Sequence, residues 1–257
     1  AQERPPHHER CTGVLVGSLI GDALGAPFEG EAARVIRAAV PQGPFEMFDA
    51  RELPDTKLSA QTAGIDLGPS RVGEYTDDTE CTFALAESLV AMNGLEPEHA
   101  ALNTALWWAR PPDRGGYSSG TFGKLRALQE GRPYDTLGDM HEQGGSWGNG
   151  GAMRISPVGL AYRRLVADAP AMRRVVTAAL RATHTHPEAI DGATIMALAV
   201  AALATDTLSP NAVGFVQWLR DAAATEEMRR RLESCAQSLQ AQSLMDGVDD
   251  VFWPGDK

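Results

Sequence analysis

Hydrophobic and polar residues along the chain repeat with the period of α-helices. Apolar side chains recur every three or four positions, as at Val14, Leu15, Leu19 and Ala23, and no alternating run is long enough to predict a β-strand. The sequence therefore predicts an all-α fold, a compact orthogonal helical bundle in one domain over residues 1–257. Nine helices are expected, at residues 11–26, 77–93, 96–109, 121–130, 151–166, 169–183, 187–205, 210–222 and 225–242.

The segments between these helices contain most of the unusual composition. Residues 43–74 and 110–123 are rich in glycine, proline and polar residues, and residues 140–151 are rich in glycine. Long loops in compact domains are often functional, so we expect a site to be built there. A stripe of glycines in the first helix, at positions 13, 17, 21 and 25, predicts close helix packing on that face.

Composition and charge restrict the possible partners. A formal net charge of -11 over 257 residues repels phosphate backbones, so we expect no general nucleic-acid binding. The three cysteines are far apart, which argues against a disulfide framework and a structural zinc site. The polar N-terminus does not resemble a signal peptide, and the apolar run 11–26 is too short to span a membrane. A cytoplasmic protein without membrane contact is expected.

One candidate site is the stretch YTDDTE, residues 75–80, directly before an apolar helix. Asp77 as N-cap with Glu80 at the third helical position would form an acidic variant of the capping box. That interpretation does not require Asp78 or the preceding Thr76. Adjacent carboxylates repel each other, and a hydroxyl and two carboxylates are the hard oxygen ligands that magnesium prefers. Helix capping and metal binding both remain open.

Two further motifs suggest a ligand site. The turn GGSWGNGGAMR, residues 144–154, is either a flexible surface turn or a backbone cradle for phosphate, with Trp147 able to stack on a base or ribose. His184 and His186 precede a helix that begins at Pro187. They are helix caps or surface residues in one interpretation, and residues near a ligand site in the other.

Taken together, these motifs resemble the ADP-ribosylglycohydrolase family. The blocks GSLIGDALGAPFEG, YTDDTECTFAL, DRGGYSSGTFGKL, GSWGNGGAMRISPVGLAY and THTHPEAIDGA occur in the order of that family, over about residues 10–200. The resemblance implies an all-α fold that hydrolyses a glycosidic bond of ADP-ribose at a centre of two magnesium ions. It implies ADP-ribose or an ADP-ribosylated protein as the partner.

The resemblance also implies roles for individual residues. Thr76, Asp77 and Asp78 would be metal ligands, and Glu29 would be the general acid/base or water-activating group. Because the chain is acidic overall, the negative charge of the ligand would have to be met locally, by metal, backbone N–H groups and Arg154 or another base. The residues implied in ligand binding are Gly116, Ser118, Gly145, Ser146, Trp147, Gly148, Asn149, Gly150, Met153 and His184.

One part of the family pattern is not found. The family completes its metal site with a Gly-Gly-Asp-x-Asp-Thr block followed by a helix, whereas Asp249 and Asp250 near the end of this chain have neither the threonine nor a following helix. Either the chain is a portion of a longer protein, or the block lies on another polypeptide, or the protein has diverged. We expect the complete enzyme to need that block, because Thr76, Asp77, Asp78 and water alone would bind magnesium weakly.

Three functions are therefore considered. The first is a magnesium-dependent hydrolase that releases ADP-ribose from a protein side chain, an ADP-ribose polymer or a small acceptor. The second is an ADP-ribose-binding module or pseudoenzyme that does not hydrolyse its ligand. The third is a structural descendant of the same fold, which the retained Glu29, Asp77 and Asp78 disfavour.

Overall fold

The computed structural model describes residues 7–29, 73–110, 117–140, 143–205 and 211–240, with the single residues 32, 34, 36 and 38. The described residues contain nine α-helices and no β-strand, which confirms the predicted all-α class. The helices are α1 (His7–Gly25), α2 (Asp77–Ala91), α3 (Pro97–Trp108), α4 (Ser119–Gln129), α5 (Ser156–Ala161), α6 (Ala169–Leu180), α7 (Pro187–Thr205), α8 (Ala212–Ala222) and α9 (Glu226–Gln240).

Helix α7 is the centre of the larger hydrophobic core. Its side chains Leu198 and Ile195 pack among buried residues of α5 and α6, such as Val158 and Met172. A smaller cluster contains Leu125, Leu128 and Leu137. Helix α2 contributes to both clusters, because Leu85 belongs to the first and Cys81 to the second. The N-terminal turn of α2 is therefore held by the packing of the whole bundle.

The prediction of one helix over residues 151–166 is wrong. Only Ser156–Ala161 is α-helical, between 3₁₀ turns at Asn149–Gly151 and Arg163–Leu165. Pro157 stands at the start of the helix, where its missing N–H costs nothing, but it does not allow the helix to extend from upstream. Gly159 lies so close to α7 that a Cβ there would come within 2.6 Å of the Ala197 carbonyl oxygen.

Helix α1 also differs from its prediction. It begins at His7, and a 3₁₀ turn, Ala26–Phe28, follows it directly. Two segments, His8–Phe28 and Pro187–Thr205, are long and apolar enough to cross a membrane by length and composition alone. The length argument made for residues 11–26 is therefore wrong. A buried core helix and a signal sequence also meet this criterion, and most of Pro187–Thr205 is buried in the bundle.

The glycine stripe of α1 does not produce the expected close packing among the described residues. A Cβ built at Gly13, Gly17, Gly21 or Gly25 meets no described atom within 4 Å. The contact that fixes α1 against α2 is polar instead, and it belongs to the candidate site.

Candidate active site

The start of α2 is held by a carboxylate from α1. Thr76 is the N-cap residue, but its own side chain accepts no capping hydrogen bond. Asp22 accepts the backbone N–H groups of Thr76 at 2.9 Å and Thr79 at 3.1 Å, and also their hydroxyls at 2.8 and 2.6 Å. A helix N-terminus needs an acceptor for its free N–H groups. Here a residue 54 positions earlier in the sequence supplies it.

The predicted capping box is therefore wrong. Asp77 is the first helical residue, and Thr76 takes the N-cap position. The Glu80 side chain is only 5% exposed and accepts a hydrogen bond from the Tyr117 hydroxyl at 3.0 Å. Since Asp22 already fills the acceptor role, capping does not account for the carboxylate of Asp77.

Four carboxylates influence one another electrostatically at this helix start. Burial, followed by the charges of Asp78, Glu29 and Asp22, raises the pKa of Asp77 to about 7. Burial and the charges of Asp22 and Glu29 also raise the pKa of Asp78. The ion pairs among the described residues involve other carboxylates, so no described lysine or arginine pairs with these four. Within the described part of the chain, the charge of this cluster is therefore not neutralised by an ion pair.

Glu29 reaches this cluster from the end of the 3₁₀ turn that follows α1. Its backbone N–H donates to the Ala26 carbonyl oxygen at 3.3 Å, which closes the turn, and the residue itself is exposed. Its charge acts on both Asp77 and Asp78. Glu29 is therefore a solvent-accessible carboxylate beside a buried one.

The oxygen atoms suit a magnesium ion in chemistry but do not complete its coordination. Thr76 Oγ1 and Asp78 Oδ2 lie 3.3 Å apart, and neighbouring ligands of an octahedral magnesium ion lie about 2.9 Å apart, given its bond lengths. Among the described residues, no group of three or more His, Cys, Asp or Glu side chains is placed to hold a metal ion. These residues fit one side of a magnesium site.

A cavity of about 100 Å³ opens beside the acidic cluster. Pockets that enclose drug-sized ligands are about 300–1,000 Å³, so the described residues enclose a subsite for part of such a ligand. Asp77 is the member of the carboxylate cluster that lines the cavity. The lining consists of Asp77, Cys81, Tyr117, Ser118, Thr121, Ser146, Gly148, Asn149, Gly150, Met153, Arg154 and His184.

The glycine-rich turn forms one wall of this cavity because its glycines allow close approach. Gly145 has a φ of 86°, a conformation that strongly favours glycine, and a Cβ there would collide with Thr185. A Cβ on Gly150 would come within 3.0 Å of His184 Nε2. The turn is thus packed directly against the imidazole of His184, and the interpretation as a free surface turn is wrong for this half of it.

Some residues implied in ligand binding lie elsewhere. Trp147 is 70% exposed and is not part of the cavity wall, and neither is Gly145. Ser118 lines the cavity, but its hydroxyl also caps α4 by accepting the Thr121 N–H at 3.3 Å. Gly116 lies outside the described residues, as do Asp249 and Asp250.

Two buried cations lie close to His184. Arg154, only 5% exposed, donates to the Thr183 hydroxyl, and His184 Nδ1 lies 2.9 Å from the same oxygen. The buried Lys124 ammonium donates to the carbonyl oxygens of Thr183 at 2.6 Å and Gly138 at 2.9 Å. Burial, then the charges of Arg154 and Lys124, lowers the pKa of His184 to about 3. His184 is therefore neutral at physiological pH.

The two histidines have different surroundings. His184 fits the interpretation as a residue near a ligand site, and His186 fits the interpretation as a helix cap. His184 lines the cavity. His186 Nδ1 accepts the backbone N–H of Glu188 at 3.2 Å, as a cap of α7.

Comparison with known proteins assigns this arrangement to a family. A family model described as ADP-ribosylglycohydrolase matches residues 3–253. The chain belongs to the ADP-ribosylglycohydrolase family. The resemblance inferred from the five sequence blocks is confirmed.

Individual relatives are about one-third identical to this family member. The chain is 32% identical over 194 residues to the ADP-ribosylhydrolase ARH3 of Mus musculus, covering 74% of this chain and 48% of the relative. It is 33% identical over 184 residues to the ADP-ribosyl-[dinitrogen reductase] glycohydrolase of Rhodospirillum rubrum, covering 71% and 54%. The chain spans about half the length of the curated relatives it matches.

Asp22 and Tyr117 are two residues of this region that sequence reasoning missed. Asp22 had a visible signal, because a lone carboxylate within an apolar helix needs hydrogen-bond partners if the helix packs. Tyr117 had none beyond its place in the third block. It is 8% exposed, lines the cavity and donates its hydroxyl proton to Glu80.

Proposed function

We propose that this protein is a magnesium-dependent hydrolase that cleaves the glycosidic bond between ADP-ribose and a protein side chain, an ADP-ribose polymer or a small acceptor. One observation carries the proposal: Asp77, from a carboxylate cluster that no described lysine or arginine pairs with, lines the same cavity as the glycine-rich turn, His184 and the buried Arg154. An anionic ligand with a neutral, hydroxyl-rich sugar at one end matches this division of charge.

Magnesium would be held by Thr76, Asp77 and Asp78 on this chain. Their raised carboxyl pKa values and the 3.3 Å approach of Thr76 Oγ1 to Asp78 Oδ2 support this assignment. When bound, the ion supplies Lewis-acid polarisation of a substrate oxygen and positions a water molecule. The family resemblance implies further ligands from a second acidic block, which is not found in these 257 residues.

Glu29 would move the proton in the reaction. The water oxygen bonds to C1″ of the ribose as the bond from C1″ to the acceptor nitrogen or oxygen breaks, through an oxocarbenium-like state. The Glu29 carboxylate accepts the proton of the water and returns one to the leaving group. Its exposed position beside the buried Asp77 supports this role, since it can reach both solvent and substrate.

The rest of the ligand would lie against the turn and His184. Arg154 is buried at the cavity wall, where its charge meets an anion without competition from bulk water. The low pKa of His184 keeps its imidazole a neutral hydrogen-bond partner. Ser146, Gly148 and Asn149 supply polar groups on the same wall.

A second function, ADP-ribose binding without hydrolysis, has one observation in its favour. The described residues supply no group of three metal-binding acidic, histidine or cysteine side chains. The cavity wall made by the turn, Arg154 and His184 does not depend on a metal ion. Binding would therefore persist where hydrolysis does not.

One experiment separates the two functions. The protein is incubated with serine-, arginine- and polymer-linked ADP-ribose, with and without magnesium, and free ADP-ribose is measured. We expect magnesium-dependent release that falls at least about 100-fold in Asp77→Ala, because a proposed ligand of the ion that stabilises charge in the transition state is lost. Asp135→Ala, which changes an exposed carboxylate outside the cavity, is the matched control and should leave release unchanged.

Binding of ADP-ribose is measured in parallel by calorimetry. Retained binding with no release from any of the three substrates would favour the binding module. If the protein neither binds ADP-ribose nor releases it from any substrate, both functions are contradicted.

A further inference from the structure

The contacts of Asp22 exceed what a helix cap requires. Its Oδ2 atom alone accepts the N–H groups of Thr76 and Thr79 and the Thr79 hydroxyl. This satisfies the helix start, as an ordinary capping side chain does. The second oxygen, Oδ1, makes one further contact, which is to the Thr76 hydroxyl at 2.8 Å.

The position of Asp22 also has an electrostatic cost. Its charge adds to those of Glu29, Asp77 and Asp78, and it acts unfavourably on both aspartates. A serine or asparagine at the N-cap would satisfy the same N–H groups without a charge. Capping alone therefore does not explain why a carboxylate stands here.

The contact between Oδ1 and Thr76 decides where the hydroxyl proton lies. A hydroxyl has one proton to donate and two lone pairs. Thr76 Oγ1 is 2.8 Å from Asp22 Oδ1 and 3.3 Å from Asp78 Oδ2, so the proton is donated mainly to Asp22. The lone pairs of Thr76 Oγ1 then face the same region as the Asp78 carboxylate, without a proton between them.

We propose that Asp22 is a positioning residue of the acidic site, which holds the Thr76 hydroxyl so that its oxygen acts as an acceptor beside Asp78. The inference rests on the proposed function, since the acceptor is a hard cation. Asp22 itself does not touch substrate, because its two oxygens are occupied by α2. Loss of Asp22 weakens cation binding by releasing the Thr76 proton toward Asp78.

The test compares two variants that affect the same helix start. Asp22→Asn keeps the shape of the side chain but replaces one accepting oxygen with a donating NH₂. Thr79→Val removes one hydroxyl bond to Asp22 and leaves Thr76 unchanged. Unfolding in urea with EDTA measures the capping role of each, and titration with Mn²⁺, followed by the loss of its free electron-spin signal, measures cation affinity.

We expect Asp22→Asn to weaken Mn²⁺ binding at least about tenfold, the effect known for residues that orient metal ligands. Thr79→Val should lower stability but change Mn²⁺ affinity less than about twofold. Asp22→Glu, with both oxygens retained, should recover part of the affinity. Mn²⁺ stands in for magnesium because carboxylate and hydroxyl ligands suit both ions.

Three other results would overturn the proposal. Unchanged Mn²⁺ affinity in Asp22→Asn, or an equal loss in Thr79→Val, would reduce Asp22 to a helix cap while leaving the proposed hydrolase intact. Absence of Mn²⁺ binding by the unaltered protein would instead remove the metal site itself, and with it both proposals.

Discussion

Asp22 and Asp191 perform the same structural task in two regions of the molecule. Each is a carboxylate on one helix that accepts hydrogen bonds at the start of another. Asp191 on α7 accepts the N–H groups of Ala224 and Thr225 and the Thr225 hydroxyl before α9. Asp22 on α1 does this for α2.

The two carboxylates differ in the charge around them. Asp191 pairs with Arg173 at 2.6 Å. Burial favours its neutral form, but the bonds from Thr225, Ala224 and Arg173 outweigh burial and lower the pKa of Asp191. Asp22 stands among like charges, and burial with those charges raises the pKa of Asp77. We interpret a buried carboxylate that is paired with a cation, such as Asp191, as structural. We interpret the carboxylate cluster, which has no described cation partner, as a ligand site.

The largest expected effect is on stability, at Asp191. Asp191→Ala should lower the free energy of unfolding by about 3–5 kcal/mol, because it leaves a guanidinium and two N–H groups without their buried partner. Urea denaturation measures this. Asp168→Ala, which removes the exposed cap of α6, is the control and should cost only about 1 kcal/mol. Equal losses in the two variants would show that Asp191 is no more than a local cap.

Replacing Arg173 tests whether its positive charge is what makes the Asp191 carboxylate stabilising. Arg173→Met keeps much of the side-chain volume and should cost about 2–3 kcal/mol, since the Asp191 charge stays buried with hydrogen bonds but no cation. The pKa of Asp191 should then rise, so stability should be lost at a higher pH on acidification. If the urea midpoints of Arg173→Met and of the unaltered protein fall at the same pH on acidification, this prediction is contradicted.

In the carboxylate cluster around Asp77, by contrast, removing a carboxylate should stabilise the protein. Asp77→Asn should raise the free energy of unfolding by about 1–3 kcal/mol at pH 8 in EDTA, because a buried charge with three carboxylate neighbours disappears. Asp135→Asn, at an exposed site, should change stability by less than about 0.5 kcal/mol. A loss of stability in Asp77→Asn would mean that its carboxylate serves the fold.

The sequence alone predicts some parts of the acidic site much better than others. Thr76, Asp77 and Asp78 are consecutive, so their meeting at one helix turn follows from local geometry. Glu29 and the turn at residues 144–154 could be placed beside them only through the resemblance to a family. The five ordered blocks supplied that placement, and no periodicity in the chain would have done so.

The contacts that fix these residues were not predictable, because they are tertiary. Asp22 shows in the sequence only as a charge within an apolar helix, and its partners lie 54 and 57 residues away. The close approach of Gly159, within the short helix Ser156–Ala161, to α7 is likewise a tertiary contact. By contrast, Pro187–Thr205 was predicted with its observed bounds, since its start at Pro187 is a local signal.

The smallest net effect is a pH dependence in which Asp77 and His184 act in opposite directions. In EDTA, Asp77 is protonated in the folded state below about pH 7 and in the unfolded state only below about pH 4. Its contribution therefore makes stability fall as the pH rises between these values. His184 titrates near 3 when folded and near 6.5 when unfolded, so its contribution makes stability rise with pH. Each slope is about 1.4 kcal/mol per pH unit, with opposite sign.

These two slopes oppose each other between about pH 4 and 6.5, and the raised pKa of Asp78 adds a further fall of stability with pH. Relative to the unaltered protein, Asp77→Asn should therefore make the slope of stability against pH more positive, and His184→Gln should make it more negative; urea midpoints measured across this range check both. Burial is the largest cause of both pKa shifts, and the neighbouring charges add to it: Arg154 and Lys124 for His184, and Asp78, Glu29 and Asp22 for Asp77. These causes stay in place in both variants. Parallel profiles in the two variants would therefore contradict the opposite shifts of the two pKa values, and with them the buried environment that the structure gives to both groups.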